Sequence, residues 1–151
     1  MKFTSSATGQ QGSTLLEALV AILIFSFGVL ALVALQAVSI RNSIDAKYRS
    51  DASYLANQIV AQMWVDRANI DSYAHYITGA VCAYTGSPSA LANVTAWVTQ
   101  VGSLLPGTST TTTQIQVSTV GSAKRVKVTV CWKVPQETSL HNFSVTAQIN
   151  P

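Results

Sequence analysis

Charged side chains are scarce in this sequence of 151 residues: they make up 10% of it, with nine Lys and Arg against six Asp and Glu. The net charge of +3 is too small to favour nucleic acid as a partner, because nucleic-acid-binding proteins carry much larger concentrations of positive charge. The only two His and two Cys are His75, His141, Cys82 and Cys131. No pair of them has the close spacing of zinc ligands, so we predict no metal site.

Recognisable catalytic motifs are also missing. The sequence contains no Gly-x-Ser-x-Gly motif, no phosphate-binding Walker loop and no Gly-x-Gly-x-x-Gly fingerprint. With six acids and two histidines, few side chains are suited to proton transfer. We therefore predict that the protein is not an enzyme and binds no cofactor.

Helix-breaking residues are missing from one long stretch, since neither Pro nor Gly occurs from Val29 to Asn69. Before it lies an apolar run, Ala18 to Leu35, in which only Ser26 and Gly28 are not clearly apolar. Together with its neighbours the run is long enough to span a bilayer. No small-residue cleavage site follows it, so we expect it to remain in the mature protein as a membrane anchor, unlike a secretory signal peptide.

The apolar pattern then becomes one-sided, as in an amphipathic helix. The residues that recur every three or four positions are Ile40, Ile44, Tyr48, Ala52, Leu55, Ile59 and Met63. The pattern predicts a single helix from about Thr14 to about Trp64, with its second half buried along one face. At 1.5 Å per residue such a helix is roughly 75 Å long, which suits a packed filament better than a compact globule.

The rest of the chain predicts a small α+β head. Residues 70–87 have little periodicity and are predicted to be an irregular connection. Ser87-Pro88 is predicted to start a second helix, which runs to Leu105 and is stopped by Pro106-Gly107. Three alternating segments predict antiparallel strands with one buried face on the long helix: Ile115–Thr119, Val126–Trp132 and Phe143–Ile149. Gly121-Ser122 supplies the first turn between them.

One acid, Glu17, lies at the edge of the apolar run. A carboxylate there is costly, about 2–3 kcal/mol or more, so it is expected to have a partner. The arrangement of a short polar leader ending in Gly12, then Ser13, then Glu17 as the fifth following residue, then about twenty apolar residues resembles the type IV pilin superfamily. This family includes type IV pilins, minor pilins and the pseudopilins of type II secretion.

The resemblance implies a precursor whose leader, residues 1–12, is removed by a prepilin peptidase between Gly12 and Ser13. It implies that Ser13 is the candidate for N-methylation, although the family usually has Phe or Met at this position. Residues 13–40 would form the transmembrane and assembly half of the long helix, and residues 41–151 the periplasmic head. Glu17 would neutralise the free α-amine of Ser13 on a neighbouring subunit.

The internal sequence also resembles the PilV-type minor pilins. This resemblance rests on Arg49–Ala56, Met63, Arg67–Asn69 and Tyr73, and on Trp97, Leu105–Gly107 and Val128–Trp132. It implies a pilin-like ladle that primes pilus assembly and lies at or near the tip. The implied partners are the inner-membrane assembly platform, the major pilin, other minor pilins and a tip adhesin, in a Gram-negative bacterium. Nucleic acid is not expected as a partner.

Two other functional classes are left open by the sequence. A minor pseudopilin of a type II secretion system fits the Leu15-Leu16-Glu17 context equally well. A membrane-tethered enzyme or binding domain that never enters a filament would leave the buried acid unexplained.

Three further features lead to separate expectations. Since the head is expected outside the cytoplasm, Cys82 and Cys131 favour a disulfide that fastens the 75–85 connection across the outer face of the sheet, with free thiols as the alternative. Lys124, Arg125 and Lys127 form the one basic cluster, interpreted as a solvated strand edge that discourages strand addition rather than a DNA site. Gly28 is expected to be helical in the subunit, with local melting in a filament or close helix packing as its two possible roles.

Overall fold

The computed structural model describes residues 11–135 and 137–150. They fall into two compact units, one that ends at Ser43 and one that begins at Ile44. Of the predicted leader, residues 1–10 lie outside the described residues. The fold is α+β and pilin-like, with a long N-terminal helix, a small antiparallel sheet and a short helix, as the sequence predicted.

Helix α1 spans Gln11–Val65 and matches the predicted helix closely. In the unit that ends at Ser43 its described side chains are exposed on every side, and Phe25 is 72% exposed. From Ala52 onward the same helix buries one face. The residues of α1 that are fully buried are Ala52, Leu55, Ala56, Ile59 and Met63. The predicted change from an all-round apolar helix to a one-sided one is therefore confirmed. The predicted start of the buried face was wrong, because Ile40 is 60% exposed and Ile44 is 38% exposed.

A short 3-10 helix, Arg67–Tyr73, follows α1, and two three-residue strands follow it: β1, Thr78–Ala80, and β2, Ala83–Thr85. The strands pair as an antiparallel hairpin. The prediction of an irregular connection over residues 70–87 was therefore wrong. Strands of three residues are too short to show an alternation of apolar and polar residues. The hairpin is also held by Cys82, whose disulfide partner Cys131 is distant in sequence.

Helix α2 spans Ala92–Leu104, so the predicted start at Ser87-Pro88 was wrong. Residues before it are held extended by other contacts. The Ser89 N–H donates to His75 Nδ1 at 3.2 Å, and the Ser89 hydroxyl donates to the Ser72 carbonyl at 2.6 Å. These bonds fix the segment before α2 to the chain that precedes the hairpin. The predicted stop at Pro106-Gly107 is confirmed.

Three strands form the main sheet in the order β3-β4-β5, all antiparallel. They are β3, Thr113–Val120, β4, Ala123–Trp132, and β5, His141–Ile149, with the predicted turn at Gly121. The core joins one sheet face to α2 and the second half of α1. Trp97 on α2 is 2% exposed and its indole N–H donates to the Leu55 carbonyl at 2.9 Å. The predicted packing of sheet on helix is confirmed.

Candidate functional site

The first candidate site is the start of α1. Its helical segment from Ser13 is long and apolar enough to cross a membrane, with a mean hydropathy of 2.9 in its most apolar part. None of that part is buried inside the protein. Ser26, the one hydroxyl in the predicted run, donates to the Ile22 carbonyl at 2.7 Å and so satisfies its own hydrogen bond. Such a surface excludes water only if lipid or other helices cover it.

Glu17 is the one charged side chain between Ser13 and Ile40. Its side chain is exposed on α1, and among the described residues no basic group forms a salt bridge with it. In hydrocarbon an ionised carboxylate needs a cation or hydrogen-bond donors, because its desolvation is otherwise uncompensated. A partner outside the described subunit is therefore required if Glu17 is ionised there.

The predicted cleavage position, Gly12-Ser13, lies in the first turns of α1. The leader before Gln11 lies outside the described residues, so the surface that the peptidase would bind is described only from Gln11 onward. Cleavage after Gly12, methylation of Ser13 and the assembly role of Glu17 stay predictions.

The second feature is the hairpin. Cys82 forms a disulfide with Cys131, so the expected pairing of the two cysteines is present. Cys131 is fully buried on the face of β4 opposite Val128 and Val130, and Cys82 and Tyr84 pack around it. The bridge therefore fastens β1 and β2 across the outer face of the sheet, as the sequence predicted. It also takes both thiols out of any metal site.

The turn of this hairpin has an unusual backbone. Cys82 adopts φ 65°, a left-handed conformation that Gly or Asn adopts more easily than Cys. Gly79 has φ 100°, and a Cβ there would lie 2.5 Å from the Ala83 carbonyl oxygen. The hairpin therefore needs glycine at Gly79, while the covalent link to Cys131 holds Cys82 in its strained conformation.

His75 is a buried structural residue, 4% exposed. Its Nδ1 accepts the Ser89 N–H, so the ring proton lies on Nε2, 3.5 Å from the Thr113 hydroxyl. Burial lowers the pKa of His75, and a backbone hydrogen bond to Thr110 opposes this in part. Neutral His75 joins the chain before the hairpin to the chain before α2 and to β3. This role has no local signal in the sequence, because the partners of His75 are 14 and 38 residues away.

His141 has different neighbours. Its Nε2 lies 2.6 Å from Glu137 Oε2, its Nδ1 lies 3.8 Å from Asp45 Oδ1, and its ring stacks on Trp132. Among the described residues no group of three or more His, Cys, Asp or Glu is arranged to hold a metal ion. The structure thus gives each histidine separate partners.

The basic cluster is divided between the two faces of β4. Lys124 forms an ion pair with Asp71 at 2.8 Å, whereas Arg125 and Lys127 are exposed and make no ion pair among the described residues. The interpretation as a strand edge was wrong, because β4 is the central strand of its sheet. These cations therefore do not protect an open edge.

Comparison with known families adds one finding. Residues 8–33 match the model of the prokaryotic N-terminal methylation motif, the leader signature of type IV pilins. The match contains Gly12, Ser13, Glu17 and most of the apolar run. No curated protein and no solved structure matches the chain.

The described fold is pilin-like, and the N-terminal motif is the leader signature of type IV pilins. The motif supports a pilin or pseudopilin, and points to a structural subunit rather than an enzyme. It also implies processing by prepilin peptidase and assembly with other pilins in a membrane. An apolar N-terminal helix with this leader fits a single-pass inner-membrane protein that is assembled into a pilus.

Proposed function

We propose that this protein is a minor type IV pilin that primes pilus assembly and lies at or near the pilus tip. It is made as a precursor, cut between Gly12 and Ser13, and held in the inner membrane by residues 13–40, with residues 41–151 in the periplasm. Its role is structural: it offers one helical surface to neighbouring subunits and presents its head to the next subunits and to a tip adhesin.

The observation that carries the proposal is Glu17 in its surroundings. It is the one charged side chain between Ser13 and Ile40, in the exposed apolar part of α1. It lies five residues after Gly12, and among the described residues it has no salt-bridge partner. Cleavage after Gly12 creates an α-amine on Ser13. When one subunit docks beside another, that amine and the Glu17 carboxylate neutralise each other, which in low dielectric is far better than two separate charges.

This pairing also fixes the axial position of each subunit. Apolar helices can slide past one another with little change in energy, because one apolar contact replaces another. A buried charge has a strong preference for a single position, so it selects one register. The proposed role of Glu17 is therefore to determine both entry into the filament and the step between subunits.

A minor pseudopilin of a type II secretion system is the alternative function. The methylation motif and the Leu15-Leu16-Glu17 context fit it equally well. The resemblance of the features around Arg49–Tyr73 and at Pro106-Gly107 to PilV-type proteins favours the pilus.

The deciding experiment is an in-frame deletion scored in parallel for sheared surface pili and for secreted enzymes. We expect loss of pili with normal secretion, restored by the wild-type gene and not by a cleavage-resistant Gly12 variant. Normal pili with failed secretion would assign the protein to the pseudopilins. Full function of the cleavage-resistant variant would contradict both and favour a membrane-tethered domain that stays outside filaments.

A further inference from the structure

The outer face of the main sheet carries two cations without acids. On this face of the central strand β4, Arg125 and Lys127 are two positions apart, roughly 7 Å along the strand. Neither side chain has a salt-bridge partner among the described residues, in contrast to Lys124 on the opposite face. In the register of the sheet, both cations have only uncharged neighbours on β3 and β5.

Those neighbours are amides and hydroxyls. Lys127 lies between Gln116 and Thr146, and Arg125 lies between Ser118 and Gln148. Directly opposed side chains in a sheet have Cβ atoms about 5 Å apart, so each cation is bordered by hydrogen-bonding groups on both sides. The result is a flat array with two positive charges at its centre and polar uncharged groups around them.

Two shallow grooves meet on this face. One has a volume of about 390 Å³ and is lined by both cations, Thr146 and the half-exposed Ile77. The other, of about 230 Å³, shares Gln116 and Lys127 with the first and has Val81 of the hairpin in its lining. The disulfide fastens this hairpin to β4, so the groove has a wall that is covalently held in place.

From this arrangement we propose that the outer sheet face binds an acidic polysaccharide, with the carboxylates of its sugar acids on Arg125 and Lys127. The Gln116 amide already donates to the Ile77 carbonyl and the Ser118 hydroxyl to the Arg125 carbonyl, so their oxygens remain as acceptors for sugar hydroxyls. Thr146 and Gln148, on the other side of the cations, can donate and accept. Ile77, 50% exposed, and Val81, 66% exposed, offer apolar surface to the C–H faces of sugar rings. Arg125 and Lys127 form no ion pair among the described residues, so no such pair has to break before they bind neighbouring carboxylates of the polymer.

Nucleic acid is a poorer fit to the same face. Binding of single strands relies on exposed aromatic rings for base stacking, but Tyr84, the aromatic residue in these grooves, is 4% exposed. Two cations also neutralise few phosphates, and the affinity for a nucleic-acid backbone rises with the number neutralised. An acidic peptide could pair with the two cations, but it would not need the neighbouring amides and hydroxyls or the apolar surface of Ile77 and Val81.

The test is binding of the purified full-length protein in detergent micelles to a galacturonic acid hexamer, measured calorimetrically at low salt. The matched probes are a neutral galactose hexamer, a hexaglutamate peptide and a single-stranded hexanucleotide. We expect the galacturonic acid hexamer to bind more tightly than each of the others. Equal or tighter binding of the neutral sugar, the peptide or the oligonucleotide would overturn the proposal, as would an absence of galacturonate binding.

Variants locate the site. The double variant Arg125→Gln with Lys127→Gln should weaken galacturonate binding by about tenfold or more, because it removes two charge-assisted contacts. Arg125→Lys with Lys127→Arg keeps both charges and should retain binding within about threefold. Lys133→Gln removes one charge outside both grooves and should leave binding unchanged. If Lys133→Gln weakened binding as much as the double variant, the effect would be general electrostatics and the proposal would be wrong.

Pilus assembly is not needed for this measurement. A failure to bind galacturonate would leave the proposed assembly role intact. Conversely, a protein that bound galacturonate but was absent from pili would keep the site and lose the assembly role.

Discussion

The two parts of helix α1 show how one continuous helix can serve two purposes. Up to Ser43 the described side chains are exposed and mostly apolar, and none of them is buried in a core. From Ile44 onward the helix belongs to a unit with a hydrophobic core, where Leu55, Ile59 and Met63 are completely buried. The first part therefore depends on its surroundings for burial, whereas the second part finds its burial within the same subunit.

This difference separates assembly from folding. Changes in the first part remove contacts that only lipid or other subunits supply, so they should alter incorporation without destabilising the head. Changes in the second part remove contacts inside the head, so they should lower its free energy of unfolding. If the two parts are independent, a substitution in one part leaves the other part unchanged.

The largest expected effect is that of Glu17→Val on incorporation. The variant lacks the carboxylate that is proposed to neutralise the Ser13 α-amine of a neighbour, so an uncompensated amine would enter apolar surroundings. We expect leader cleavage to be intact and the amount of protein in sheared filaments to fall to background. Immunoblots of membranes and filaments measure both.

Ser26→Val is the matched control for this substitution. It also replaces a polar side chain by Val in the same exposed part of α1, but the Ser26 hydroxyl bonds only the Ile22 carbonyl of its own helix. It should enter filaments normally. Normal incorporation of Glu17→Val would sink the pairing hypothesis.

In the second part, Trp97→Ala should destabilise the head by about 3–5 kcal/mol, as expected for loss of a fully packed indole. Its N–H bond to the Leu55 carbonyl is lost as well. Hydrogen exchange of β4 in the micelle-bound protein measures this, with α1 before Ser43 as the internal reference. Trp64→Ala, at a residue 46% exposed, should cost much less. Equal effects of the two substitutions would contradict the assignment of Trp97 to the core.

Removal of the disulfide should have the next largest effect. The bridge joins residues 49 positions apart, which corresponds to up to about 4 kcal/mol of loop-closure entropy in the unfolded chain. Cys82→Ala with Cys131→Ala should speed hydrogen exchange in β4 and the hairpin and leave α1 before Ser43 unchanged. Reduction of the wild-type protein, followed by reoxidation, provides a control with no altered side chain. A loss of protection in the first part of α1 would show that the two parts are coupled.

The sequence was sufficient for the features whose signal is local or periodic. The extent of α1, the three strands of the main sheet and the stop at Pro106-Gly107 follow from hydrophobic spacing and helix-breaking residues. Alternation along β4 also placed Cys131 on the outer face, where the disulfide fastens the hairpin.

Features that depend on long-range contacts were missed. Ser89 bonds to Ser72 and His75, and these contacts keep residues 87–91 out of the helix that Ser87-Pro88 favours locally. The prediction that the basic cluster lies on a strand edge was wrong, because the order of strands in a sheet cannot be deduced from the sequence alone. In the structure β4 lies between β3 and β5, with Lys124 on one face of the sheet and Arg125 and Lys127 on the other. The outer-face grooves likewise arise from three strands and a hairpin meeting in space.

A smaller effect is expected from pH. Because burial lowers the pKa of His75 below its ordinary 6.5, the unfolded chain takes up a proton more readily than the folded head. Stability from this residue is therefore complete above about pH 6.5 and falls as the pH drops towards the folded pKa. The free energy of unfolding of the head should therefore be lower at about pH 5.5 than at about pH 7.5.

His75→Gln should remove the part of this decrease that His75 causes, whereas His141→Gln should leave that part in place. Hydrogen exchange in β3, corrected for the intrinsic effect of pH on exchange, measures the change. If His75→Gln retained the full decrease of the wild-type protein, the buried imidazole would not be its source.

The smallest expected effect is that of Gly28→Ala, which tests the first part of α1. Gly28 is helical and a Cβ there would have nothing within 4 Å, so alanine adds no clash in the subunit. Alanine should stabilise the local helix by about 1 kcal/mol, seen as slower hydrogen exchange around residue 28 in micelles, with the head unchanged.

The amount of the Gly28→Ala protein in sheared filaments then separates the two expected roles of this glycine. If assembly requires the helix to melt here, incorporation falls although the subunit is more stable, whereas unchanged incorporation argues against both melting and a close helix contact at Gly28. If alanine lowers incorporation, valine at the same position distinguishes melting from close helix packing. A close helix contact would be disturbed more by valine than by alanine, because the valine side chain is larger. Melting would be impaired less by valine than by alanine, because valine has the lower helix propensity.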